Sequence, residues 1–152
     1  MNNRYKVSGV IYSAFNDIVK LIRAEYGWNL NNIKVHIKPM KNKQIDLTDN
    51  VLSVNPYFTR YLKSNNLEFD NIKTFFVLMI AQELGKELYT HVWSKDMIDS
   101  WNTITDRFEQ INPGEYDDDK DKLSTYFANL VYFKMKERLD SYGKEEQDSP
   151  VE

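Results

Sequence analysis

The strongest constraint in the sequence is the run Phe75 to Ala81, in which every residue is apolar. Asp70 can cap a helix over this stretch that continues to about His91. A helix that is apolar on every face has to be covered on every face, so the rest of the chain is expected to wrap around this one. With 152 residues, 41% of them hydrophobic, the chain is large enough for one core of that kind. Five Gly, four Pro and no Cys exclude collagen-like, low-complexity and disulfide-scaffold chains. No apolar run approaches the roughly 18 residues of a membrane span, and Met1 to Lys6 is not followed by the apolar region of a signal peptide. The expectation is one cytoplasmic domain over residues 1–142, without a membrane segment, followed by a disordered polar tail over 143–152.

The elements around the central helix follow from periodicity. Ile11, Phe15, Ile18, Val19 and Ile22 form one stripe of a helix that Gly27 and Asn29 end. Ile33, Val35 and Ile37 alternate with Lys34 and His36, the pattern of a half-buried strand. Gln44 to Leu47 and Val51 to Val54, separated by the turn Thr48 to Asn50, read as two more strands, and three in succession predict a meander. Pro56 can open a short helix with Tyr57, Phe58, Tyr61 and Leu62 on its apolar face. Ser94 can cap another, with Met97, Ile98, Trp101, Ile104 and Phe108 inward. Asn112, Pro113 and Gly114 stop it, and a last helix buries Leu123, Tyr126, Phe127, Leu130 and Val131. The predicted class is α+β: a small three-stranded meander sheet packed on a helical core with a central buried helix.

Charge is divided unevenly. Residues 1–64 hold ten Lys or Arg and four Asp or Glu, a net +6, whereas residues 65–152 hold ten and nineteen, a net −9. The basic side chains of 33–43 are spread along a strand and its turn without interleaved aromatics, which argues against nucleic acid as the partner.

Chemistry is concentrated where the apolar run breaks. After Ala81 come Gln82 and Glu83, then Leu84, Gly85, Lys86 and Glu87. Polar groups on a buried helix need partners, because an unpaired buried charge costs several kcal/mol. Gly85, at a cost of about 1 kcal/mol relative to Ala, points to another backbone packed close to that turn.

The order helix, three strands, buried helix, with Ile80, Ala81, Gln82, Glu83, Leu84, Gly85, Lys86, Glu87 and Leu88 on the last, resembles the small zincin-like metallopeptidases of the minimal gluzincin type. Their active-site helix carries the sequence H-E-L-G-H. Val51 to Leu62 is similar to the edge strand and connection ahead of that helix. Thr125, Tyr126, Phe127, Ala128 and Asn129 resemble the downstream helix that supplies the third zinc ligand. The resemblance implies Glu83 at the general-base position and a cleft formed by Gln82, Glu83, Lys86, Ser124 and Thr125.

It also implies a lost metal. Two His one helical turn apart bind zinc in the family, but here Gln82 and Lys86 stand at those positions and Ser124 or Thr125 at the third. Gln is a poor zinc ligand and an ammonium repels a dication, so no cofactor is expected. The function implied is a catalytically inactive, pseudo-metallopeptidase binding or regulatory module, taking a protein or peptide by strand addition at Val51 to Val54. Two alternatives stand beside it. One is a metal-dependent hydrolase with an atypical site at Glu83, Glu87 and His91, which repeat every four residues on one helical face. The other is a structural or regulatory helical protein unrelated to peptidases. The Asp117, Asp118, Asp119 and Asp121 cluster reads as favourable charge at a helix N-terminus. In the vacated site the Lys86 ammonium is expected to pair with Glu83 or an acid from another element, at a cost of about 3 to 5 kcal/mol when removed. The Gln82 amide is expected to reach the last helix near Ser124 or Thr125.

Overall fold

The computed structural model describes residues 3–41, 43–56, 69–111 and 114–148. Helix α1 (Asn3–Tyr26) is followed by strands β1 (Lys34–Ile37), β2 (Ile45–Thr48) and β3 (Val51–Val54). Helices α2 (Phe69–His91), α3 (Lys95–Ile111) and α4 (Asp119–Asp148) complete the described chain. The architecture is α+β, with the sheet against one side of a helical layer. The expected short helix at Tyr57, Phe58, Tyr61 and Leu62 lies outside the described residues.

The apolar run behaves as its composition demands. Phe76, Val77, Ile80, Ala81, Leu84 and Leu88 of α2 are buried, and Phe75, Leu78 and Met79 are half-buried. Val10, Ile11, Ile18 and Ile22 of α1, Leu52 and Val54 of β3, and Leu123, Phe127 and Val131 of α4 are buried in the same cluster. Helix α1 ends where Gly27 takes φ 74° and donates its N–H to Arg23 O at 2.9 Å, a left-handed cap that costs glycine nothing. No helix among the described residues is long and apolar enough to cross a membrane.

The sheet is not a meander. Its strand order is β1-β3-β2, with β1 parallel and β2 antiparallel to β3. Asp49 and Asn50, at φ 51° and 64°, make the two-residue turn that hairpins β2 onto β3. The chain from β1 to β2 instead passes across the end of β3, where Asn55 fastens it. Its side-chain amide donates to Met40 O at 3.0 Å and Lys43 O at 3.1 Å, and its N–H to Gln44 O at 2.9 Å. The physical reason for the order lies in polarity: β3 is the most apolar and most buried strand, while β1 carries Lys34 and His36 and β2 carries Asp46. Val51 to Val54 is therefore the central strand, paired on both sides, and offers no edge for strand addition.

Helix α3 also departs from expectation. Ser94 Oγ accepts the N–H of Met97 at 3.2 Å, the cap that was foreseen. Met97, Ile98 and Trp101 turn inward in part, but Ile104 and Phe108 are 54% and 55% exposed, and Thr105 is buried in their place. Contacts to α4 set this rotation: Asp106 pairs with Lys122 at 3.0 Å, and Glu109 accepts the Tyr126 hydroxyl at 2.7 Å. On α4, Leu123, Phe127 and Val131 are buried while Tyr126 and Leu130 are half-buried. That helix continues to Asp148, so the backbone of 143–148 is helical where a disordered tail was expected. Lys144, Glu145, Glu146 and Gln147 are good helix formers, and the cost of Gly143 is only about 1 kcal/mol.

Candidate functional site

The polar break in α2 faces the first two turns of α4. Gly85 makes the approach feasible: a Cβ there would lie 3.1 Å from Phe127 Cδ2 and 3.2 Å from both Cα and Cβ of Ser124. The two backbones meet at a small residue on each side, and Ser124 is fully buried with its hydroxyl donated to Asp121 O at 3.0 Å.

One turn earlier on α2, Gln82 crosses to α4. Its amide Nε2 donates to Asp121 Oδ1 at 3.1 Å and to Thr125 Oγ1 at 3.2 Å, partners 39 and 43 residues away in sequence. Thr125 Oγ1 in turn donates to Asp121 O at 2.8 Å. The Asp121 carboxylate also accepts the backbone N–H of Asp117 at 3.2 Å on its other oxygen. The link joins α2 to the N-terminus of α4, where a carboxylate complements the exposed N–H groups. Asp121 is the member that the sequence does not single out, because within the run of aspartates it reads as a helix-end charge, a role it also has.

Lys86 is held differently. Its ammonium meets Glu83 Oε1 at 3.2 Å, three residues back on the same helix. The Lys86 side chain is 35% exposed and that of Glu83 18%, so the pair is half in water. The expected cost of 3 to 5 kcal/mol belongs to a fully buried pair and does not apply here; about 1 kcal/mol or less is the scale of a partly exposed local pair. Gln82, Glu83, Lys86, Ser124 and Thr125 thus lie together around one contact of α2 with α4, with polar links on two sides.

These residues do not fit the zinc ion that the resemblance would bring. The Gln82 amide presents its N–H₂ to Asp121 and Thr125, the Lys86 ammonium occupies the neighbouring turn, and Thr125 and Ser124 are hydrogen-bonded to their own helix. The alternative set is not assembled either. Glu83 is engaged by Lys86, while His91 Nε2 stands 3.7 Å from Glu87 Oε1 with its side chain 64% exposed. Among the described residues no three His, Asp or Glu side chains come together closely enough to hold a metal ion. Glu87 and His91 instead border an open cleft of about 460 Å³, completed by Leu47, Asp49 and Asn50 at the tip of the β2–β3 hairpin.

A second polar link ties α3 to the start of α4. Glu109 accepts the N–H of Gly114 at 2.9 Å and the hydroxyl of Tyr126 at 2.7 Å. These bonds, the backbone one first, hold its carboxyl below the usual range, and burial together with the Glu109 bond pushes the Tyr126 phenol above its own. Neither residue is signalled by the sequence, since the partners lie 17 residues apart on different helices.

No protein-family model, no curated protein and no solved structure matches this chain.

Proposed function

We propose that this chain is a metal-free, zincin-like domain that binds a protein or peptide partner and has no hydrolase chemistry of its own. The observation that carries the reading is the Gln82 link. The three positions that the resemblance assigns to metal ligands, Gln82, Lys86 and Ser124 or Thr125, come from two distant segments, and the first and third are joined by a direct hydrogen bond of 3.2 Å. Such convergence is what a shared plan requires and what a chance pentapeptide does not. In place of ion coordination, side-chain hydrogen bonds close the helix pair, and the Glu83 carboxylate is engaged by the Lys86 ammonium.

The test is to restore the ligands. The triple variant Gln82→His, Lys86→His, Thr125→Glu should bind zinc stoichiometrically in calorimetric titration, while the parent chain does not. A folded triple variant that fails to take up zinc would remove the zincin plan. A stoichiometric transition metal in parent protein purified without chelator, lost on His91→Ala, would favour the hydrolase reading instead.

A further inference from the structure

The central position of β3 leaves β1 as an outer strand, and its chemistry is distinctive. β1 pairs with β3 in register from Lys34↔Val51 to Ile37↔Val54. The N–H of Lys34 donates to Asn50 O at 2.9 Å and that of Lys38 to Val54 O at 3.0 Å, so alternate residues along this segment turn their backbone groups toward β3. The residues between, Val35 and Ile37, present their N–H and C=O groups to the opposite side. Among the described residues no strand pairs with β1 there.

Side chains divide in the same rhythm. Lys34, His36 and Lys38 are exposed, whereas Val35 and Ile37 are half-buried against the core. Neither Lys34 nor Lys38 forms an ion pair with a described residue, and the surrounding sequence, residues 1–64, has a net charge of +6. An open edge satisfied by a second copy would set Lys34, His36 and Lys38 against themselves, which opposes self-pairing. The complementary occupant is a strand with acids in that register.

We infer that the outer edge of β1 is a docking site for an extended acidic peptide, which adds as a fourth strand with Asp or Glu at alternate positions beside Lys34, His36 and Lys38 and apolar residues between them. Main-chain hydrogen bonds to Val35 and Ile37 supply the attachment and the alternation supplies the choice of partner. This assignment rests on the reading of the chain as a binding module and names the surface it uses. Its failure and that of the zincin plan are read separately, here by peptide and there by zinc.

Three synthetic peptides of one length decide it: alternating Glu-Val, the same composition with Glu and Val in blocks, and alternating Lys-Val. By fluorescence anisotropy the alternating acidic peptide should bind about tenfold or more tighter than either other, the scale of a few cross-strand ion pairs. Methylating the amides that would face Val35 and Ile37 should abolish that binding on unmodified protein. The double variant Lys34→Glu, Lys38→Glu should reverse the preference toward Lys-Val. Equal binding of the block peptide, indifference to methylation, tighter binding of a single-stranded oligonucleotide, or no binding of any peptide would overturn the proposal. The last result would leave the lysines as guards against edge pairing.

Discussion

Helix α4 packs against both α2 and α3 and is joined to them by different means. Against α2 the backbones touch: Gly85 meets Ser124, with Leu84, Leu88, Leu123 and Phe127 buried around them. Against α3 the contact is made by side chains alone: Asp106 with Lys122, Glu109 with Tyr126, and the rings of Trp101 and Phe108 beside those of Phe127 and Tyr126, while Ile104 and Phe108 remain about half exposed. Packed backbones tolerate almost no change of shape, whereas separate side-chain contacts can be lost singly. The first seam should behave as part of the global core and the second should open before it, with amides of α3 exchanging hydrogen ahead of those of α2.

The most forceful way to break this contrast is Gly85→Leu. A side chain there has to displace Phe127 and Ser124, and the expected loss is about 3 kcal/mol in urea denaturation. Gly85→Ala is the gentler form, because the gain of about 1 kcal/mol in helix propensity offsets the tight contact. Next comes Gln82→Ala, which removes two hydrogen bonds across the same seam and should cost about 1 to 2 kcal/mol. A double-mutant cycle with Thr125→Val should recover a coupling between the two sites, and strict additivity would show that the link contributes nothing.

Lys86→Ala should be milder, about 0.5 kcal/mol by thermal melting, because its partner is local and solvent screens the pair. A loss as large as that of Gln82→Ala would mean that the Lys86 side is as interlocked as the other. The smallest effect concerns the α3 seam and depends on pH. The Glu109 carboxyl is held below its ordinary value in the fold, so its contribution is present above the unfolded value and disappears as pH falls through the folded one. Glu109→Gln should therefore lie below the parent protein near neutrality and converge with it in acid; parallel stability profiles would refute the assignment.

Much of this arrangement was readable beforehand, for identifiable reasons. The Phe75 to Ala81 run could only be central, and a mid-helix Gly85 between polar residues pointed to a close backbone. Gln82 reaching toward Thr125 was anticipated through the resemblance. Strand order was not, because an alternation such as Ile33, Val35, Ile37 states that a strand exists and says nothing of its neighbours. The face of α3 is not legible in the sequence, because Ile104 and Phe108 carry the apolar signal while the partners that turn the helix, Lys122 and Tyr126, are contributed by α4. Asp121 was hidden among neighbouring aspartates that look alike in sequence.

The strand order also sets a timetable. A two-residue turn lets β2 and β3 close on the microsecond scale of a hairpin, but β1 has no partner until β3 exists, since β1 and β2 never touch. A chain emerging from the ribosome therefore has to hold β1 in waiting until the residues to Val54 have followed. Once the hairpin has closed, the most apolar strand of the sheet keeps one bare flank until the basic β1 docks on it. Slowing that final step, for instance by Asn55→Ala, which releases the crossing segment from Met40 and Lys43, should raise the yield of aggregates during refolding more than it lowers the stability of the finished fold.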